Sequence, residues 1–187
     1  MTLLHSASGS GHFSIVEILL SRNANIEAQQ QDLSTPLHLS SQNGHLPIVQ
    51  ILLSKHANIE AQTKNQYRPL HFACQNGHIS IVKILLSHKA NVEEQQKDQW
   101  TSLHLASQNG HVSIVEMLLS QNADIEPQAK DDWTPLHLAS QNGHLSIVEI
   151  LLSQNAGIEA QQSNQYTPLH LASQNGHVPV VHFLLSK

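Results

Sequence analysis

Apolar residues along the chain fall into short blocks that return at a constant interval. One block holds Leu103, Leu105 and Ala106, is closed by Asn109-Gly110, and is followed by Ile114, Val115, Leu118 and Leu119. The first block predicts a short helix over about Ser102 to Gln108. The second is apolar at i, i+1, i+4 and i+5, a wider arc than one buried face needs. It predicts a helix starting near His111 or Ser113, sandwiched between its own first helix and a neighbouring copy. Asn-Gly between two helical patterns reads as a helix end with glycine in the left-handed region rather than as a hairpin. Glu116, with Glu17, Glu149, Gln50 and Lys83 at equivalent places, is expected to face water.

The interval is set by a tetrad. Thr101-Ser102-Leu103-His104 has counterparts at Thr2-Leu3-Leu4-His5, Thr35-Pro36-Leu37-His38, Arg68-Pro69-Leu70-His71, Thr134-Pro135-Leu136-His137 and Thr167-Pro168-Leu169-His170, and the six starts in chain order are 33 residues apart (35−2, 68−35, 101−68). Such a period marks a small supersecondary unit stacked on copies of itself. Within the tetrad, threonine offers its hydroxyl to the free amides of a first turn, and proline loses an N–H that had no helical partner. Leucine faces inward and histidine closes the turn. Arg68 in the threonine place and Ser102 in the proline place predict two starts that fray more easily.

Tetrads such as Thr35-Pro36-Leu37-His38, followed by Asn43-Gly44-His45, Ile48-Val49 and Leu52-Leu53, resemble the ankyrin repeat. The resemblance covers nearly the whole chain in six copies, at about 1–29, 30–62, 63–95, 96–128, 129–161 and 162–187 of a single domain. It implies an all-α repeat solenoid of helix-loop-helix units joined by β-hairpin-like loops, used to bind other proteins. It also implies that the loop tips and the surfaces of the first helices line the groove where a partner is held.

Composition narrows this further. Of 187 residues, 40% are hydrophobic but only 4% aromatic, so small aliphatic side chains must do the packing. The formal charge of −5 is spread along the chain and gives no basic footprint for nucleic acid. A single cysteine, Cys74, rules out an internal disulfide; serine holds its place in other copies. There is no charged n-region before an apolar run, and no apolar stretch near the roughly 20 residues of a spanning helix. A soluble cytoplasmic protein without membrane insertion is expected, with the nucleus as the alternative.

Several positions depart from the family. After the second helix, where the family usually has glycine, stand Asn23, Asn122 and Asn155, which tolerate the left-handed region, and His56 and Lys89, which predict strain. In the loops, the family's Asp is replaced by Gln30, Thr63, Gln96, Ala129 and Gln162, and its Gly by Leu33, Gln66, Gln99, Asp132 and Gln165. Asp32, Asn65, Asp98, Asp131 and Asn164 remain to cap a tight turn of unspecified type. Neither terminal copy carries the polar outer face a solenoid end needs, so end-to-end self-association through uncapped termini is a further expectation.

Of fifteen histidines, twelve fall into two ladders, His5, His38, His71, His104, His137, His170 and His12, His45, His78, His111, His144, His177. Stacked units sit about 8–10 Å apart, whereas zinc needs convergent nitrogens at about 2 Å; the ladders are therefore structural, and no metal or cofactor is expected. Reactive side chains recur in step with the fold, with no nucleophile elbow or phosphate loop, so an enzyme is not expected. The glutamates Glu27, Glu60, Glu93, Glu126 and Glu159 read as a solvated stripe.

The informative row is Tyr67, Trp100, Trp133 and Tyr166, one place before each tetrad and beside Lys64, Lys97, Lys130, Asp98 and Asp131. This composition suits an interaction hot spot. The rings can equally pack on neighbours and stiffen the stack. Gln108, Asn109 and Gln141, on the first-helix surface, complete the candidate contact set. The leading expectation is a protein-interaction scaffold; the alternative is a non-binding spacer in a larger repeat protein.

Overall fold

The computed structural model describes residues 1–187, with twelve α-helices, one short 3-10 turn and no strand. The chain divides into two compact units, 1–91 and 92–187. In the first, α1 (Leu3–Gly9), α3 (Pro36–Gln42) and α5 (Pro69–Gln75) pack in one row, and α2 (Phe13–Ser21), α4 (Leu46–Ser54) and α6 (Ile79–Ser87) in a second row behind it. The second unit repeats this with α7 (Ser102–Gln108), α9 (Pro135–Gln141) and α11 (Pro168–Gln174) in front of α8 (Val112–Ser120), α10 (Leu145–Ser153) and α12 (Val178–Leu185).

The second helices are buried over the wide arc their sequence dictates. Ile114, Val115 and Leu118 are fully buried, as are Ile48, Val49 and Leu52, and Ile147, Val148 and Leu151. Ile15, at the equivalent place in α2, is 48% exposed, and Leu3 and Ile18 also face outward; Val178 and Leu185 do so in the last copy. Glu17, Gln50, Lys83, Glu116 and Glu149 are all exposed.

First helices are all seven residues long, those after Arg68 and Thr101 included, so the variant starts do not shorten them. Gly110 adopts φ +77° just past Asn109, the residue that caps α7, as expected of a left-handed helix stop. His56 and Lys89 take the same left-handed region at φ 64° and 65°, beside Asn23, Asn122 and Asn155. So do Leu33, Gln66, Gln99, Asp132 and Gln165 in the loops. For residues other than glycine this conformation costs about 1–2 kcal/mol each.

Each connecting loop is a single closed turn. Its outer bond runs from Gln30 N–H to the Ser34 carbonyl, Thr63 to Tyr67, Gln96 to Trp100, Ala129 to Trp133 and Gln162 to Tyr166, at 2.9–3.2 Å. One such bond folds the chain back without making a ladder, so the hairpins contain no strand.

Candidate functional site

The tetrads are reciprocal caps in which histidine takes the part usually played by glutamate. The threonine N–H donates to histidine Nδ1 at 3.0–3.2 Å in Thr2–His5, Thr35–His38, Thr101–His104, Thr134–His137 and Thr167–His170, with the threonine hydroxyl 2.8–3.0 Å from the same nitrogen. Arg68 keeps the backbone half of this arrangement, its N–H donating to His71 Nδ1 at 3.0 Å. Its guanidinium meets Glu60 at 3.0 Å.

Because Nδ1 accepts from a backbone N–H, the tautomer that fits this geometry carries its proton on Nε2. That N–H donates forward to the next hairpin: His5 to the Ser34 carbonyl, His38 to Ala61 and Tyr67, His104 to Trp133, and His137 to Ala160 and Tyr166, at 2.9–3.2 Å. Burial pushes His104 down to about 4, against the opposing pull of the Trp133 and Pro127 carbonyls and of Asp124. Burial also lowers His38 and His137, again against the carbonyls they face.

The second ladder points backward. Nε2 of His45, His78, His144 and His177 reaches the carbonyls of Gly9, Gln42, Gln108 and Gln141 at 2.9–3.0 Å. Each of these rings holds backbone, whereas His12, first of the second ladder, makes no side-chain cap bond to its helix. No three His, Cys, Asp or Glu side chains come together in a group that could hold a metal ion.

The glutamate row is a correction to the sequence reading. Glu27, Glu60, Glu93 and Glu126 each accept, through Oε1, the backbone N–H of the residue 31 places on: Asn58, Asn91, Asp124 and Gly157, at 2.6–2.9 Å. The stripe staples successive loops rather than merely facing water. A second correction concerns turn capping. Asp32 does cap its turn, accepting from Ser34 N–H at 3.0 Å and Ser34 Oγ at 2.7 Å. In other loops the buried residue two places earlier does so: Thr63 Oγ1 accepts from Tyr67 N–H, Gln96 Oε1 from Asp98 N–H and Gln162 Oε1 from Asn164 N–H. Glutamine and threonine thus keep the acceptor that the family's Asp would supply.

The tips are tied to one another through main chain. Lys64 N–H donates to the Asp32 carbonyl at 2.8 Å in the first unit. In the second, Lys130 N–H donates to the Asp98 carbonyl at 3.1 Å and Ser163 N–H to the Asp131 carbonyl at 3.0 Å. Ser163 Oγ also donates to Asp132 Oδ2 at 2.9 Å.

On this framework Lys64, Lys97, Lys130, Asp98 and Asp131 are exposed. The rings are not free-standing. Tyr67, Trp100 and Trp133 are half-buried, each against the histidine four places on: His71 at 5.8 Å, and His104 and His137 at 6.0 Å. Tyr67 also lies 5.1 Å from the Phe72 ring. Tyr166 is the most open at 40% exposure, with its ring 5.9 Å from His170. Trp100 stacks on its histidine at 26° between planes, whereas Tyr67, Trp133 and Tyr166 meet theirs edge-on. Gln108 and Gln141 are half-buried. Asn109 is exposed, yet its Nδ2 donates to the Leu105 carbonyl at 2.8 Å, so it also closes its own helix.

A family model described as ankyrin repeats matches in three copies, over residues 1–63, 37–131 and 123–187, together spanning the chain. No curated protein matches the sequence significantly. None of the twelve helices is long and apolar enough to cross a membrane.

Proposed function

Since the chain belongs to the ankyrin-repeat family, whose members are generally protein-interaction modules, we propose that it binds a partner protein through its hairpin tips and the exposed surfaces of its first helices. The observation that carries this reading is the second unit's tip set. Trp100, Trp133 and Tyr166 stand beside Lys97, Asp98, Lys130 and Asp131 on loops whose backbones are already bonded to one another. Half-exposed aromatic rings beside charges are the composition of interaction hot spots. Loops fixed before binding lose little conformational freedom when a partner arrives. In the first unit, Lys64 and Tyr67 repeat the arrangement once.

No catalytic constellation enters this reading, since its chemistry is display of side chains on a stiff frame. The spacer alternative has its own support: the rings pack on their histidines, and Gln-Asn recurs unchanged at the end of every first helix from Gln42 onward. Affinity capture from a native extract separates the two. Wild-type protein should recover a partner that a Trp100→Ala, Trp133→Ala variant loses, each ring contributing about 2 kcal/mol, with helicity unchanged. Identical recoveries from the two proteins would favour the spacer.

A further inference from the structure

The third copy is where the repeat departs from its own pattern. Arg68 stands for threonine, Phe72 for leucine and Cys74 for serine, all on α5 or its cap. The open end of each first helix, by contrast, is monotonous: Gln-Asn closes every one from Gln42-Asn43 to Gln174-Asn175. A bound segment displaced by one copy would meet the same amides again, so those residues cannot fix its register. Register is a difference of affinities between two placements, and it needs a residue that is not repeated.

Phe72 is such a residue. It is the one phenylalanine on a first helix, since Phe13 and Phe183 lie on α2 and α12. Its ring is 5.1 Å from that of Tyr67, tilted by 33°, and meets His38 of the neighbouring α3 edge-on at 5.9 Å. These are favourable aromatic separations, so the pair holds its shape without a ligand. Leu105, Leu138 and Leu171, at the equivalent place, are buried. Phe72 is half-buried, as are Tyr67 and, on α3, Leu39. An apolar surface is thus left open at the foot of this hairpin.

The charges around it have one sign to offer. Arg68 is only 7% exposed, and its guanidinium is turned onto Glu60 at 3.0 Å. Asp32, whose carbonyl accepts from Lys64 N–H, has both carboxylate oxygens bonded to Ser34. Lys64, three residues before Tyr67 on the same hairpin, is exposed and in no ion pair. The charge left for a ligand is therefore positive.

We propose that the Tyr67–Phe72 pair is the anchor that sets a partner's register. It receives one large apolar side chain of a protein segment, and an Asp or Glu close by in that segment pairs with Lys64. This rests on the interaction reading above and names the chemistry of the partner for it.

The test starts from short random peptides displayed on phage and selected on the full chain. Enriched peptides should share a large apolar residue with Asp or Glu near it. By titration calorimetry, a synthetic copy of one should bind a Phe72→Leu variant about tenfold more weakly than wild type, as expected of an aromatic anchor. Four other copies carry leucine at this place, so the variant keeps the fold, which circular dichroism checks. Lys64→Gln should weaken binding about threefold and flatten its salt dependence. Peptides that still bind Phe72→Leu at full strength, but are lost with Trp100→Ala and Trp133→Ala, would overturn the anchor and leave the interaction reading standing. Failure to enrich any peptide would count against both. A wild-type dimer that Phe72→Leu converts to monomer in sedimentation would make the occupant a second copy of the chain, and would also overturn the proposal.

Discussion

Glu126 Oε1 accepts the backbone N–H of Gly157, 31 residues downstream, at 2.6 Å. The bond joins the loop after one second helix to the loop after the next, and it reappears from Glu27, Glu60 and Glu93. A carboxylate accepting an amide N–H is among the stronger hydrogen bonds. Glu126→Ala should therefore lower unfolding stability by about 1–2 kcal/mol. Glu126→Gln, which keeps an acceptor oxygen, should recover about half. Urea titration followed by far-UV circular dichroism distinguishes the two; equal losses would mean that the bond contributes through charge alone.

Acid should weaken the fold through its buried histidines. The folded protein holds His104 neutral down to about pH 4, whereas the unfolded chain takes up its proton near pH 6.5. Between those values the unfolded state binds more protons, so stability is complete above pH 6.5 and falls as pH drops toward 4. His104 alone accounts for about 3 kcal/mol across that window, and His38 and His137 act in the same direction. Thermal melts at stepped pH should show the decline, with a shallower slope in a His104→Gln variant.

Left-handed residues other than glycine mark places where stability can be raised. Lys89 at φ 65° and Gln99 at φ 64° occupy positions whose backbone glycine adopts without strain. Lys89→Gly and Gln99→Gly should each stabilise by about 1 kcal/mol, the relieved strain exceeding the added freedom of the unfolded chain. The measurement is the denaturation midpoint at unchanged m-value. Lys89→Ala should not stabilise, since it keeps the β-carbon.

The hydroxyls of Ser41, Ser107 and Ser140 are buried without a hydrogen-bond partner. Ser107→Ala and Ser140→Ala should each stabilise by about 1 kcal/mol, from a removed desolvation penalty and a better helix former. Ser173→Ala, at an exposed site, should gain only the smaller propensity part. Differential scanning calorimetry of the three variants checks the ranking.

How much of this was legible in the sequence depended on where each partner lay. The span of α7 could be read to the residue because Thr101 opens it and Gly110 follows its end, both within the local pattern. The role of Glu126 could not, since its partner is a peptide N–H in the next copy and leaves no side-chain signature. Gln96 looked like the loss of a capping Asp, yet its longer side chain reaches Asp98 N–H. The partial burial of Trp100 and Trp133 was within reach: their ring partners, His104 and His137, stand four places along in the same tetrad.

The tip bonds from Lys130 to Asp98 and from Ser163 to Asp131 run between peptide groups. Any residue with a backbone N–H can take the donor's place, and any that adopts the local backbone, left-handed at Asp131 (φ 59°), can take the acceptor's. The identity of the side chains at these positions is thus uncoupled from the bracing beneath them. Natural variation, or a designer, can rewrite the side chains the loops display while the girders stay where they are.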